Sequence, residues 1–142
     1  MRRKSKNQTK EWMVYLPDTP IGPLRLCLTD QGLTALEFVG EAASLVPEHD
    51  TPPPHLKPLI EAAKRELKAY FEGMPTDFAA LALDPQGTPF QRRVWDGIRA
   101  IAPRHTRTYG DLAAEIGSAP RAVGQACGAN PFPLVIPCHR VV

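Results

Sequence analysis

Cysteine is scarce in this chain, and its copies suit no structural sulfur chemistry. Cys27, Cys127 and Cys138 form an odd set with no Cys-x-x-Cys pair, which excludes a paired disulfide framework. A lone Cys27 with scattered His49 and His55 makes no zinc ligand set, so no metal is expected. Free thiols suit a reducing compartment. Long apolar runs are also missing: none approaches the roughly 20 residues that span a bilayer. The basic start, Met1-Arg-Arg-Lys-Ser-Lys, leads into no apolar signal segment. These absences predict a cytoplasmic protein with no membrane contact. Lysine is absent from residues 88–142, and acidic residues are absent after Glu115.

The 142 residues allow one domain or two small ones, and charge divides them unevenly. Residues 1–10 carry +5, residues 11–87 carry −7 and residues 88–142 carry +4, the last from seven arginines against three acids. A basic tail over 1–10, a domain over 11–87 and a second domain over 88–142 are expected. The turn cluster Asp84-Pro85-Gln86-Gly87 marks the second boundary. Arginine concentrated in one segment suits phosphate and base contacts, although a solvated surface gives the same composition.

Residues 12–39 read as a small antiparallel meander. Leu24, Leu26 and Leu28 alternate onto one face with Cys27 opposite, and Asp30-Gln31-Gly32 marks a turn. After a loop over 40–55 whose Thr51-Pro-Pro-Pro-His55 favours an extended spacer, Leu56, Ile60, Ala63 and Leu67 recur at helical spacing up to a stop at Gly73.

The second domain opens on a helix. Thr88, Pro89 and Gln91 form a capping box with proline in the first turn, and Phe90, Val94, Ile98 and Ile101 make its apolar face. A second helix follows Thr108. A third, expected to be capped by Ser118, runs on from Pro120 through Arg121 and Gly124 after a tight Gly117-Ser118 connection. Two short helices joined this way read as a helix-turn-helix. Ala122, Gly124 and Ala126 make its second helix thin, which suits close helix packing or, with Arg121 exposed at its start, entry into a minor groove.

The last stretch carries the chemistry. The apolar run Leu134 to Ile136, read as a stiff strand end, delivers Cys138 between Pro137 and His139, and proline restricts the backbone on both sides of itself. A thiolate is a nucleophile, and His139 is the nearest base. Adjacent side chains diverge, so a proton would pass between them through a water. A bare Cys-His dipeptide equally describes a buried structural cysteine beside a surface histidine.

Asn130-Pro131, Ile136-Pro-Cys-His-Arg-Val141 and the upstream Pro120-Arg-Ala-Val-Gly124, in this order, resemble the O6-alkylguanine-DNA alkyltransferase family, strongly over 87–142 and weakly over 11–86. The resemblance implies an α+β chain: a small antiparallel sheet with a packed helix, ribonuclease H-like, then a helical, winged-helix-like DNA-binding domain. It implies a monomer acting without cofactor on double-stranded DNA that contains O6-alkylguanine, with O4-alkylthymine as a further substrate. One alkyl group passes irreversibly to Cys138. In that scheme His139 takes the thiol proton, Tyr109 rotates the nucleotide and assists the leaving base, and Asn130 braces the turn. Arg121 fills the space of the flipped base, with Ala122 and Gly124 against the DNA. Family members continue beyond the cysteine motif to a glutamate that orients the histidine. The sequence ends at Val142, so a truncated, inactive form and a non-catalytic binder of alkylated DNA are alternatives. A Cys-His hydrolase is a third.

Overall fold

The computed structural model describes residues 10–39, 51–74, 76, 78 and 81–142. Except for Lys10, the basic tail lies outside them. The chain divides into two compact units that meet between Asp84 and Pro85.

The first unit holds three strands, β1 (Trp12–Leu16), β2 (Leu24–Thr29) and β3 (Gly32–Phe38), in an antiparallel sheet of order β1-β2-β3. Leu28 faces Trp12 across one ladder and Leu33 across the other. Leu24, Leu26 and Leu28 are buried, as are Leu33 and Leu36 of β3. Cys27 on the opposite face is also buried, which the alternating pattern did not require, and the register of the β2–β3 ladder shifts between Cys27 and Leu28. Gly32 sits at φ +143°, and a Cβ there would lie 2.7 Å from the Ala82 carbonyl oxygen. That carbonyl accepts from the Leu33 N–H, while Asp84 N–H donates to the Leu33 carbonyl. The segment closing the unit is thus pinned along β3.

The triple proline is extended only as far as Pro53, at ψ 154°; Pro54–Leu56 turns into a 3-10 helix that leads into α1 (Lys57–Phe71). Ile60, Ala63 and Leu67 are its buried face. Gly73, at φ +75°, terminates it in a Schellman motif: Met74 N–H donates to the Ala69 carbonyl and Gly73 N–H to that of Tyr70. Leu67 and Phe71 share a cavity of about 470 Å³ with Leu16 and Pro17 at the end of β1.

The second unit holds α2 (Pro89–Arg99), α3 (Tyr109–Ile116) and α4 (Pro120–Gly128). The capping box forms, with Gln91 N–H on Thr88 Oγ1 at 3.0 Å and Thr88 N–H on Gln91 Oε1 at 2.9 Å. Val94 and Ile98 are fully buried. Thr108 caps α3 through Asp111 N–H, and Gly117 ends it at φ +81°. Ser118 does not cap α4. The cap is Ala119, without a side-chain bond, because the residue before a proline is held extended and Pro120 has no N–H to offer. Leu112, Ala113, Val123 and Ala126 close the helix-turn-helix from within.

Candidate active site around Cys138

The run before Cys138 forms no strand. Leu134 takes a left-handed φ of 78°, and Ile136 N–H reaches back to the Phe132 carbonyl at 2.9 Å, so Leu134 to Ile136 curls into a turn. The strand expected from its apolar character is corrected by two prolines, Pro131 and Pro133, which cannot donate to a ladder. The burial that a strand would supply comes instead from Phe132, Val135 and Ile136, all packed inside.

Pro137, at φ −82° and ψ 74°, is the centre of an inverse γ-turn, with Cys138 N–H on the Ile136 carbonyl at 2.9 Å. Cys138–Arg140 then makes one 3-10 turn. Val141 pairs in parallel with Arg107: Arg107 N–H donates to the Arg140 carbonyl and Val142 N–H to that of Arg107. Arg140 donates from Nη1 to the Ile101 carbonyl at 2.9 Å. The residues after the cysteine are therefore stitched to the segment that leads into α3.

Asn130 holds the turn with both ends of its amide. Its Oδ1 accepts from Phe132 N–H at 2.8 Å, and its Nδ2 donates to the Ile136 carbonyl at 2.9 Å and to Cys138 Sγ at 3.3 Å. The sulfur also lies 3.7 Å from the Cys127 carbonyl oxygen at the end of α4. Cys138 as a residue is half-buried. His139 is exposed, and no described side chain bonds its ring, in keeping with a proton path through solvent.

Tyr109 is half-buried in the first turn of α3, and its N–H donates to the Val142 carbonyl at 3.1 Å. A Cβ on Gly124 would stand 4.0 Å from its ring, an ordinary contact distance, so the ring lies beside α4 at Gly124. Arg121 is exposed in the first turn of α4 and forms no ion pair with a described residue. Ala122 is half-buried beside it. Arg107 pairs with Glu115 at 2.9 Å and Arg140 is tied to Ile101, so two of the seven arginines serve the fold.

Sequence reasoning missed three participants. Trp95 is buried and donates from Nε1 to the Ala126 carbonyl at 2.8 Å; the break it makes in the simple apolar stripe of α2 was the available signal. Arg140 was read as part of a motif rather than as a tether. Cys127 was passed over although it lies beside Cys138; burial pushes its thiol up to about 12, and Cys138 adds to the rise.

Residues 89–142 match the family model described as the DNA binding domain of 6-O-methylguanine DNA methyltransferase, and residues 12–85 match its ribonuclease-like domain. The chain belongs to the 6-O-methylguanine DNA methyltransferase family. A methylated-DNA–protein-cysteine methyltransferase of Mycobacterium tuberculosis is 42% identical over 127 residues, covering 88% of this chain and 74% of that protein. One from Methanosarcina acetivorans is 38% identical over 128 residues, covering 88% and 80%. Among solved structures, the Mycobacterium tuberculosis O6-methylguanine methyltransferase superposes with a TM-score of 0.73 at 40% identity over 94% of this chain and 79% of that one. The Mycobacterium tuberculosis OGT in complex with DNA gives 0.70 at 40% identity over 93% and 77%. The α+β architecture of this family member is thus a ribonuclease-like unit followed by a helical DNA-binding unit. Cys138, Asn130, Tyr109 and α4 all fall in the second.

Proposed function

We propose that the chain repairs duplex DNA by moving a methyl or larger alkyl group from O6 of guanine to Cys138, once per molecule. The observation that carries this reading is the placement of Cys138: a half-buried residue whose sulfur is held by the Asn130 amide and set at one end of α4, whose other end presents Arg121. Six residues separate Arg121 from Cys127, about 9 Å along a helix axis. An everted nucleotide can bridge that separation.

Chemistry on O6 requires the base out of the stack. Arg121 enters from the minor groove, takes the vacated space and offsets part of the unstacking cost. Ala122 and Gly124 let the backbone of α4 approach the DNA. The thiol proton leaves through water to His139. The sulfur lone pair then forms the S–C bond as the C–O6 bond breaks, and the electron pair departs on the guanine, which regains a proton with help from the Tyr109 hydroxyl. Asn130 stabilises the thiolate and the turn that carries it. The thioether has no leaving group worth displacing, so no thiol chemistry restores the sulfur. O4-alkylthymine presents the same bond and is a second substrate.

The chain acts as a monomer and needs no cofactor for a direct displacement. Free thiols at Cys27, Cys127 and Cys138 support a cytoplasmic location, and no helix among the described residues is long and apolar enough to cross a membrane.

The test is to incubate the chain with a duplex containing one O6-methylguanine and weigh it intact. A gain of one CH₂, mapped to Cys138 and absent in Cys138→Ala, is expected. Tight binding with unchanged mass would make the chain a binder of alkylated DNA, and repeated turnover would make it a hydrolase.

A further inference from the structure

The two thiols at the end of α4 suggest a second chemistry. We propose that Cys127 is a resolving thiol for Cys138, and that on exposure to a peroxide the pair closes into an intramolecular disulfide that blocks the acceptor sulfur reversibly.

The placement of the two residues carries this. Cys138 Sγ lies 3.7 Å from the carbonyl oxygen of Cys127, eleven positions earlier. Cys138 is also among the causes that raise the Cys127 thiol, as a close neighbour does. Both residues are half-buried. Cys127 occupies the last turn of α4 and is followed by Gly128, around which a Cβ would meet nothing within 4 Å. Closure therefore starts from two neighbouring residues at a helix end with open space beside it. The third thiol, Cys27, is buried in the sheet of the first unit.

The order of events follows from the environments. Cys127 is held as the neutral thiol by burial, so it neither attacks peroxide nor competes for alkyl groups at neutral pH. Cys138, beside the Asn130 N–H, reacts first. Its thiolate attacks one peroxide oxygen; an S–O bond forms, the O–O bond breaks, and hydroxide leaves, becoming water as it takes up the proton that the thiol gave away. The sulfenic acid oxygen, next to Cys127, draws off its proton, and the Cys127 sulfur so activated attacks the Cys138 sulfur. The S–S bond forms, the S–O bond breaks, and the oxygen leaves as water with the Cys127 proton. Two thiols lose two electrons in all, and the peroxide gains them. A dithiol reductant reverses the step, whereas sulfinic acid, the next rung of oxidation, does not return. For an acceptor that alkylation consumes for good, a reversible cap preserves unused molecules under oxidative stress. This consequence rests on the repair reading; the disulfide does not.

The experiment treats the full, reduced chain with hydrogen peroxide before any DNA is added, labels remaining thiols with iodoacetamide under denaturing conditions, and maps the peptides. A loss of two hydrogens is expected, with Cys127 and Cys138 in one linked pair and Cys27 labelled. Dithiothreitol restores both thiols and, with them, methyl acceptance from an O6-methylguanine duplex. In Cys127→Ser and Cys127→Ala, Cys138 gains two oxygens instead and dithiothreitol recovers nothing. Wild-type chain carrying Cys138 sulfinic acid beside a labelled Cys127 would overturn the proposal, as would linkage to Cys27 or between molecules. A linked pair in a chain that takes no methyl when reduced leaves the disulfide standing and removes the repair reading.

Discussion

Replacing Asn130 by alanine should separate two jobs that one amide performs. The first is structural. Asn130 Oδ1 is the partner of Phe132 N–H, and Phe132 is fully buried. Without it that donor is orphaned, at about 1–3 kcal/mol. The Ile136 carbonyl loses one donor but keeps Cys138 N–H at 2.9 Å, so little is added there. The second job is electronic. The Nδ2 hydrogen bond to Sγ at 3.3 Å stabilises charge on sulfur, and bonds to charged groups contribute about 1.5–3 kcal/mol. Losing that bond slows attack by the sulfur, by about tenfold or more. Asn130→Asp goes further, because a carboxylate replaces the donor, with a repulsion of up to about 4 kcal/mol near 4 Å at an effective dielectric of 20. The assay is the rate of iodoacetamide labelling at Cys138 near neutral pH, alongside urea denaturation of each variant. Rates should fall in the order Asn, Ala, Asp. A folded Asn130→Ala that loses stability yet labels at the wild-type rate refutes the electronic role and leaves Asn130 a brace for the turn.

Two further perturbations test other parts of the scheme. Arg121→Ala should slow methyl transfer from duplex DNA by about tenfold or more while leaving reaction with free O6-benzylguanine intact, since the side chain is exposed and supports no described contact; equal losses on both substrates would remove it from the flipping step. Alkaline pH should weaken the fold through its buried thiols. Cys27 and Cys127 are pushed up to about 12 from an ordinary 9.0, so between those values the folded chain holds protons that the unfolded chain has lost. Their contribution is whole below pH 9.0 and falls as pH rises toward 12, by up to about 1.4 kcal/mol per pH unit for each thiol. Urea midpoints measured across the window should decline more gently in Cys27→Ala, and an unchanged decline sinks the assignment.

The sequence announced its local signals and concealed its packing. The Thr88 capping box, the Gly73 and Gly117 stops and the leucine alternation of β2 all act within a few residues, so they can be read from spacing, and each takes its expected form. The turn at Leu134 to Ile136 could not be read that way. Its apolar residues are buried by partners distant in the chain, and burial alone does not distinguish a strand from a coiled segment. Ser118 misled because a good capping residue one position too early loses to the restriction that Pro120 places on Ala119. At the site, Asn130 was legible as a turn former, but its bond to the sulfur was not, since that contact depends on the γ-turn at Pro137. The nearness of Cys127 and Cys138 was hidden for the same reason.

A single line of contacts links the start of the second unit to the reactive atom. The Thr88 capping box fixes where α2 begins, and so the rotation at which Trp95 leaves the helix. Gly87 has no Cβ, and one placed there would meet the Trp95 ring at 2.7 Å, so the edge of the indole packs against the chain entering the helix. Its Nε1 then donates to the Ala126 carbonyl, one residue before the carbonyl that faces Cys138 Sγ. The last turn of α4 has few intrahelical partners for its carbonyls, and the indole satisfies one of them in the interior. The Cys127 carbonyl beside it accepts from Asn130 N–H at 3.2 Å, with Cys138 Sγ 3.7 Å away. A buried tryptophan on another helix and the backbone of the turn thus share in fixing this helix end. In the proposed reading, a helix end clamped in this way helps to keep Arg121 and the Cys138 sulfur in register, as a one-step displacement on an everted base requires.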